Sequence, residues 1–450
     1  MPGTIVALST PPGVSGIAVI RISGDDAFTI VDKVFSGKTK LSPAQSHTIH
    51  YGTIYDNETP VDTVLASVFH SPNSYTSEDT VEISCHGGYA ITGEIIRVLI
   101  ANGAVAAEAG EFTKRAFLNG KLDLTQAEAV ADIIHSESTA GALTAVRQLL
   151  GGFKRRLSEL RSQLADIAAL LELELDFADE DIEITNKSLI IKKIMEAETY
   201  CRLLSESYHS AEVLRNGYYI GLAGYPNSGK STLFNSLLGK IRAIVSPKPG
   251  TTRDYIEDSL IIGGIVVRLI DTAGIRNSED EIEVEGIKLA HSALKQCNMI
   301  LIVNDCYSDI RQSDMLLMNI KDINPDTKVI LLQNKIDKFE GTFESIVPDE
   351  IYISAKTGLG LDLLKEQIKT EAESSSVRIN DVLVNQRQAR LLGNAADLLH
   401  TAGDALNQGV ENELVSLDIR NAVDSLGEIS GERFSEEVLN NIFGRFCIGK

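Results

Sequence analysis

The spacing of hydrophobic positions changes three times along the chain, and each change predicts a different kind of element. Up to about residue 118, short β-branched runs (Thr4–Ala7, Ile17–Ile22, Thr63–Phe69, Thr80–Cys85) alternate with turn clusters such as Thr10-Pro11-Pro12-Gly13 and Pro72-Asn73-Ser74. One apolar-periodic helix is expected after His86-Gly87-Gly88. Strand and helix do not alternate strictly, so residues 1–118 read as an α+β domain.

From Asp123 the pattern becomes helical. Thr125-Gln126-Ala127-Glu128 has the form of a capping box, with hydroxyl and carboxylate satisfying each other's backbone amides. Apolar residues then fall at 143, 146, 150, 153, 157, 160, 164, 167 and 171, a three–four spacing interrupted only at Gly151-Gly152. Each such burial contributes roughly 1.5–3 kcal/mol. Backbone ordering costs roughly 1–2 kcal/mol per residue, so this helix needs partners. Matching patterns lie near the C-terminus: Leu391, Leu392, Ala395, Leu398 and Leu399; Ile419, Val423 and Leu426; Val438, Leu439, Ile442 and Phe443.

Between the helical blocks, Tyr218–Ala223, Leu260–Leu269, Met299–Val303, Lys328–Leu332 and Glu350–Ile353 read as strands separated by helices, the mark of a parallel sheet with crossovers. Glu371-Ala372-Glu373-Ser374-Ser375-Ser376 reads as a polar exit linker. The expected architecture is a parallel-sheet α/β domain, 218–376, inserted into a helical domain whose halves, 119–217 and 377–450, pack together.

Composition narrows the class. At ~150 residues per domain, 450 residues suggest three domains. With 43% hydrophobic and 23% charged residues the chain is neither disordered nor fibrous. No apolar run reaches the ~18–20 residues of a membrane helix, and the start MPGTIVALSTPPG lacks the plan of a signal peptide. Five cysteines without a CxxC pair argue against a disulfide framework or structural zinc, and suit a reducing cytoplasm. The net charge of −21 opposes general phosphate-backbone binding, so RNA would require a local basic surface. The densest basic cluster is Lys154-Arg155-Arg156 with Arg161, which is either such a patch or a solvated helix face.

The chemistry concentrates at predicted strand ends. Gly224-Tyr225-Pro226-Asn227-Ser228-Gly229-Lys230-Ser231 fits GxxxxGK[ST] between a strand and an apolar-periodic helix. Its amides would wrap phosphates, Lys230 would reach the β and γ oxygens, and Ser231 would hold Mg²⁺. Asp271-Thr272-Ala273-Gly274 supplies DxxG, Asn334-Lys335-Ile336-Asp337 supplies NKxD, and Ser354-Ala355-Lys356 follows. Asp337 can accept from guanine N1–H and N2–H₂, whereas adenine would present an acceptor to it. The Ser354-Ala355-Lys356 loop offers an amide to guanine O6. These four elements in order resemble the translation-factor-like GTPases and imply GTP binding. Ile275 stands where Ras-like proteins carry a water-orienting Gln, so another group must do that work.

Asn227 and the segment Ser246-Pro247-Lys248-Pro249-Gly250-Thr251-Thr252-Arg253-Asp254 resemble the potassium-activated GTPases, and the whole chain resembles the MnmE (TrmE) family of tRNA-modification GTPases. The resemblance implies K⁺ ligands at Asn227, Ser246, Lys248 and Thr251, with Thr252 joining Ser231 on Mg²⁺ and Glu283 orienting the attacking water. Outside that region it rests on three stretches: Ile20-Arg21-Ile22-Ser23-Gly24; Pro72 to Asp79 with Glu82 and His86-Gly87-Gly88; and Gly110-Glu111-Phe112 through Leu124. It implies an N-terminal domain that binds 5-formyl- or methylene-tetrahydrofolate through Arg21, Glu82, Lys121 and Lys450. Cys447, in the terminal Cys-Ile-Gly-Lys, is a candidate acid, base or nucleophile, or else an exposed thiol. Cys85 and His86 read as core or turn residues. The implied activity is modification of C5 of the wobble uridine of tRNA by a homodimer working with an FAD-dependent MnmG-type partner. The alternative is a regulatory, ribosome-assembly type of GTPase whose flanking domains only bind RNA.

Overall fold

Strands β1 (Ile5–Leu8) and β2 (Ser15–Ser23) begin an N-terminal sheet that continues after helix α1 (Ala27–Val34) with β3 (Phe35–Gly37), β4 (Thr48–Asp56), β5 (Thr59–Phe69) and β6 (Thr80–Gly87). Helix α2 (Tyr89–Ala101), β7 (Val105–Ala106) and α3 (Glu111–Leu118) complete this region. The sheet order is β3-β4-β5-β6-β2-β1-β7, antiparallel except where β7 runs parallel to β1. Ile20, Ile22, Val81 and Ile83 point inward against Phe28, Val31, Ile95 and Leu99 of α1 and α2, a one-sided core typical of α+β folds. The computed structural model describes residues 3–176, 186–239, 256–271, 294–307, 310–325, 327–338, 350–375 and 382–450.

Helices α4 (Leu124–His135), α5 (Thr139–Leu149), α6 (Gly152–Asp176), α7 (Lys187–Glu206) and α8 (Tyr208–Asn216) follow. The capping box lies two residues earlier than its sequence signature. Asp123 Oδ1 accepts from the Gln126 amide at 2.8 Å while Gln126 Oε1 accepts from the Asp123 amide at 3.0 Å. Thr125 instead donates its hydroxyl to Asp123 Oδ1 at 2.7 Å, so it belongs to the first turn. The apolar stripe is also divided. Phe153, Leu157, Leu164, Ile167 and Leu171 of α6 are buried, whereas Leu143, Val146 and Leu150 stay exposed. The chain turns at Leu150-Gly151, which redirects the stripe's first third.

The second sheet comprises β8 (Tyr218–Ala223), β9 (Ile256–Ile262), β10 (Ile265–Asp271), β11 (Met299–Asp305), β12 (Lys328–Asn334) and β13 (Glu350–Tyr352), with helices α9 (Lys230–Leu238), α10 (Ile310–Ile323) and α11 (Leu361–Ser375). Its order, β13-β12-β11-β8-β10-β9, is parallel except for the edge strand β9. The expected single strand over 260–269 is a hairpin. Gly263 and Gly264, at φ 60° and 82°, make a turn that L-residues with a Cβ enter only at a cost. Residues 371–375 of the expected linker are the end of α11, where Ala372 is fully buried in the sheet's core, and Ser376 lies outside the described residues.

Helices α12 (Gln386–Gln408), α13 (Asn412–Ser430) and α14 (Glu436–Phe443) end the chain. Along α6, Glu172 accepts from the Ser416 hydroxyl of α13 at 2.6 Å and also pairs with Arg420. Two compact units result, one of Met1–Ala131, Gln148–Glu198 and Asn394–Lys450, the other of Asp132–Arg147 and Thr199–Gly393. Among the described residues no helix is long and apolar enough to cross a membrane.

Candidate functional site

In the second unit the loop after β8 carries residues 224–229 into α9, so the first amides of that helix open onto the loop, an arrangement suited to anions. Asn227 and Gly229 have φ of 62° and 100°. At Gly229 a Cβ would collide with Asn334 Nδ2, which explains glycine there. Lys230 is 7% exposed, and its ammonium donates to the carbonyls of Gly224 and Tyr225, both at 2.8 Å. Ser228 is buried and its hydroxyl has no hydrogen-bond partner, an orphaned donor inside a phosphate-type loop. Ser231 lies exposed at the start of α9.

Asn334, at the end of β12, joins the motifs that sequence could only place in order. Its Nδ2 donates to the Ser228 carbonyl at 2.8 Å and its Oδ1 accepts from the Ala355 amide at 2.9 Å, with the side chain buried. Lys335, at φ 70°, donates to the Asn227 carbonyl at 2.6 Å and to Asp305 at 2.7 Å. Ser354 donates its hydroxyl to Asp337 Oδ1 at 2.6 Å and accepts from the Thr357 amide at 3.2 Å. This hydroxyl holds the Asp337 carboxyl below the usual carboxylate range, and the side chain stays solvent-exposed, open to a base edge. Lys356 is likewise exposed. Asp305 was not singled out by sequence, because its role comes from the parallel pairing that sets Asp305 opposite Asn334. Burial, the largest single effect, pushes its carboxyl up, but the hydrogen bonds from Lys335 and the Tyr307 amide and the charges of Lys335 and Lys338 together outweigh it, and the net direction is down.

Asp271 ends β10 as expected of a DxxG strand. Its side chain lies outside the described residues. So do Ser246, Lys248, Thr251, Thr252, Thr272, Ala273, Gly274 and Glu283.

A second cluster sits on the N-terminal sheet, where Arg21 on β2 faces Glu82 on β6 in register. Arg21 Nε and Nη2 donate to Glu82 Oε1 at 2.9 and 2.8 Å. The guanidinium lies 4.8 Å from the centre of the Tyr75 ring and 5.5 Å from that of Phe112, two aromatic walls that sequence reasoning did not assign. Arg21 Nη1 is buried and donates to nothing. Burial raises the Tyr75 phenol pKa, opposed by its hydrogen bond to Thr113 and by Arg21. The C-terminal residues come to the same side: the Lys450 carbonyl accepts from the Phe112 amide at 3.2 Å, and Ser9 donates to the Gly449 carbonyl at 3.1 Å. Lys121 donates its ammonium to the carbonyl of Ser74, the residue before Tyr75. Cys447 is exposed on the tethered tail. Cys85 is core, with its thiol pushed up to about 11 by burial. His86 is exposed and its Nδ1 donates to Asp62 Oδ1 at 2.7 Å.

A phosphate-type loop, an Asn-Lys-x-Asp strand end and a Ser-Ala-Lys loop along one edge of a parallel sheet make this a P-loop GTPase. The wider chain matches two family descriptions, "GTP-binding protein TrmE N-terminus" over residues 4–121 and "MnmE helical domain" over 124–447. Similar proteins include the "tRNA modification GTPase MnmE" of Christiangramia forsetii, 42% identical over 99% of both chains, and that of Flavobacterium psychrophilum, 43% identical over 99% of both. That of Chlorobaculum tepidum is 39% identical over 99% of this chain and 97% of its own. The chain belongs to the MnmE family of tRNA modification GTPases. It is therefore a GTP hydrolase, and relatives of that name over its full length do not favour the ribosome-assembly type of regulator.

Proposed function

We propose that the chain, as a homodimer working with an FAD-dependent MnmG-type partner in the cytoplasm, adds an aminomethyl or carboxymethylaminomethyl group to C5 of the wobble uridine of tRNA. The one-carbon unit comes from a tetrahydrofolate, and GTP hydrolysis drives the cycle. Residues 218–376 form the GTP-binding domain, flanked by the folate-binding domain, 1–118, and the two-part helical domain.

The observation that supports this most directly is the Asn334 bridge, which makes the phosphate loop and the base-reading loop one structure. A guanine held by Asp337 and the Ala355 region thereby fixes where its phosphates meet the loop, so base identity and phosphate position are read together. Lys230, now held on loop carbonyls, is the cation within reach of a β or γ oxygen. Mg²⁺, held by Ser231 and Thr252, and K⁺, held by Asn227, Ser246, Lys248 and Thr251, would supply positive charge to the phosphoryl oxygens when bound. The orphaned Ser228 hydroxyl and the exposed Asn227 and Ser231 fit such an oxygen-rich ligand. Glu283 then orients the attacking water, since Ile275 has no polar atom to do so.

On the N-terminal sheet, the unpartnered Nη1 of Arg21 fits the carbonyl edge of a pterin, and Glu82 fits its donor edge. Tyr75 and Phe112 provide flat apolar walls. Lys450 and Lys121 suit the carboxylates of the folate tail, Lys121 after release from Ser74. When bound, the folate would supply the carbon and the chain's residues would orient it, with Cys447 as the candidate acid, base or nucleophile.

Two measurements test the reading. GTP turnover in KCl should exceed that in NaCl at fixed Mg²⁺, and equal rates would remove the K⁺ assignment. Calorimetry with 5-formyl-tetrahydrofolate should show binding that Arg21→Ala abolishes; no affinity in the unsubstituted protein would remove the folate assignment.

A further inference from the structure

In the first unit, a cavity of about 380 Å³ opens between the end of α3, the first turns of α6 and the segment after α13. That volume is at the low end of the ~300–1,000 Å³ range of small-molecule sites. Phe117 and Phe434 form its apolar wall, edge to face with centroids 5.2 Å apart, and Phe434 remains 47% exposed. Asp123 lies opposite, 8% exposed. Its Oδ1 is used by the helix cap, but its Oδ2 is buried and has no hydrogen-bond partner. Lys154 Nζ stands 3.7 Å from that oxygen, beyond hydrogen-bond range, on a side chain that is 52% exposed. Arg161 and Glu432, paired with each other, complete the polar lining.

These groups specify the ligand. Two acids and two bases leave the cavity without net charge, so neither a small anion nor a small cation is favoured. A flat apolar wall facing an unsatisfied acceptor suits a neutral aromatic ring carrying an amino group. Arg155 and Arg156, both exposed, follow Lys154 along α6 on other faces of the helix, and Arg156 pairs with Glu159 at 3.9 Å. We propose that this cavity receives one unstacked nucleobase with an exocyclic amine (adenine, cytosine or guanine, but not uracil), stacked on Phe434 and donating to Asp123 Oδ2. The adjoining phosphate meets Lys154, the exposed cation of the lining. Lys154 turns from Asp123 toward phosphate as the base enters. The source we assign is tRNA, which rests on the tRNA-modification reading above; a free nucleotide offers the same chemistry.

The test uses the full chain and fluorescence anisotropy with an unmodified tRNA transcript, with short oligoadenylate, oligocytidylate and oligouridylate, and with AMP and CMP as competitors. Asp123→Asn keeps Oδ1 for the cap, since Asn caps as well as Asp, but replaces the pocket acceptor with a donor. The expected result is preference for A and C over U in the unsubstituted protein, inverted in Asp123→Asn. Phe434→Ala should weaken tRNA binding about tenfold by loss of one stack. Lys154→Gln should flatten the salt dependence by about one phosphate. Phe434→Tyr should restore affinity if stacking, rather than folding, is what was lost. Normal tRNA binding in every variant with no base preference overturns the cavity while leaving the tRNA reading intact. No tRNA binding, but AMP or CMP binding with the same dependence on Asp123 and Phe434, keeps the cavity and overturns its RNA source. Binding of neither overturns both.

Discussion

Asn334 is the residue on which the nucleotide edge turns, because a single buried amide serves the phosphate loop with its nitrogen and the base loop with its oxygen. Asn334→Ala removes both hydrogen bonds, about 1–3 kcal/mol together, and is expected to weaken GDP binding about 10- to 100-fold by equilibrium dialysis. Asn334→Asp keeps the acceptor but sets a buried carboxylate oxygen against the Ser228 carbonyl, and should weaken binding at least as much. Asp337 makes a pH prediction with a definite sign. The Ser354 hydroxyl lowers its pKa, so the carboxylate persists into more acidic solution than an isolated one would. Ser354→Ala removes that hydroxyl, and the acid limb of guanine-nucleotide binding should move to higher pH; an unmoved limb would show that another group controls it. The cysteines divide by burial. Cys297, pushed up to about 12, and Cys85, at about 11, remain thiols at pH 8, whereas Cys447 is exposed on the tail. Brief iodoacetamide treatment followed by mass spectrometry should find Cys447 modified first, with Cys85, Cys201 and Cys297 spared.

At the scale of elements, the last turn of α11 separates what polarity suggests from what packing requires. Residues 371–376 are acidic and Ser-rich, yet Ala372 is fully buried against the core of the second sheet while Glu373 and Ser374 face solvent. Ala372→Asp should therefore cost at least about 2 kcal/mol in denaturant unfolding, with Ser374→Asp near neutral. Similar losses for both would mean that the turn does not pack. The same contrast explains how much of the fold was legible. Strands β8, β11, β12 and β13 were readable because apolar runs bounded by motif residues have little choice of state. The hairpin of β9 and β10 was hidden because Gly263-Gly264 interrupts one long β-branched run, and the interruption acts only through backbone conformation. Strand β4 went unread because Ile49 and Tyr51 face outward, so its alternation does not mark a buried side. At the site, the motif residues were legible one by one, since phosphate and guanine chemistry dictates residue types. Asp305, Tyr75 and Phe112 were not, because each acts through a neighbour supplied by another strand or helix.

For the whole molecule, the question is whether the C-terminus serves the N-terminal sheet or the nucleotide edge. Ala109 and Ile448 form a β-bridge, the Phe112 amide donates to the Lys450 carbonyl and Ser9 holds the Gly449 carbonyl, all within the first unit. Phe112 in turn walls the Arg21 guanidinium. The last four residues thus hold a wall of the proposed folate cluster. Removing Cys447–Lys450 takes away these tethers, so 5-formyl-tetrahydrofolate affinity should fall about tenfold or more. GDP affinity, set by Asn334, Asp337 and Lys230 in the second unit, should stay within about twofold, a change worth less than 0.5 kcal/mol. Asn334→Ala should show the reverse pattern, with folate binding retained and GDP binding lost. Equal damage to both ligands from the truncation, by calorimetry on the same sample, would mean that the tail stabilises the chain as a whole, and the tail would then lose its place in the one-carbon site.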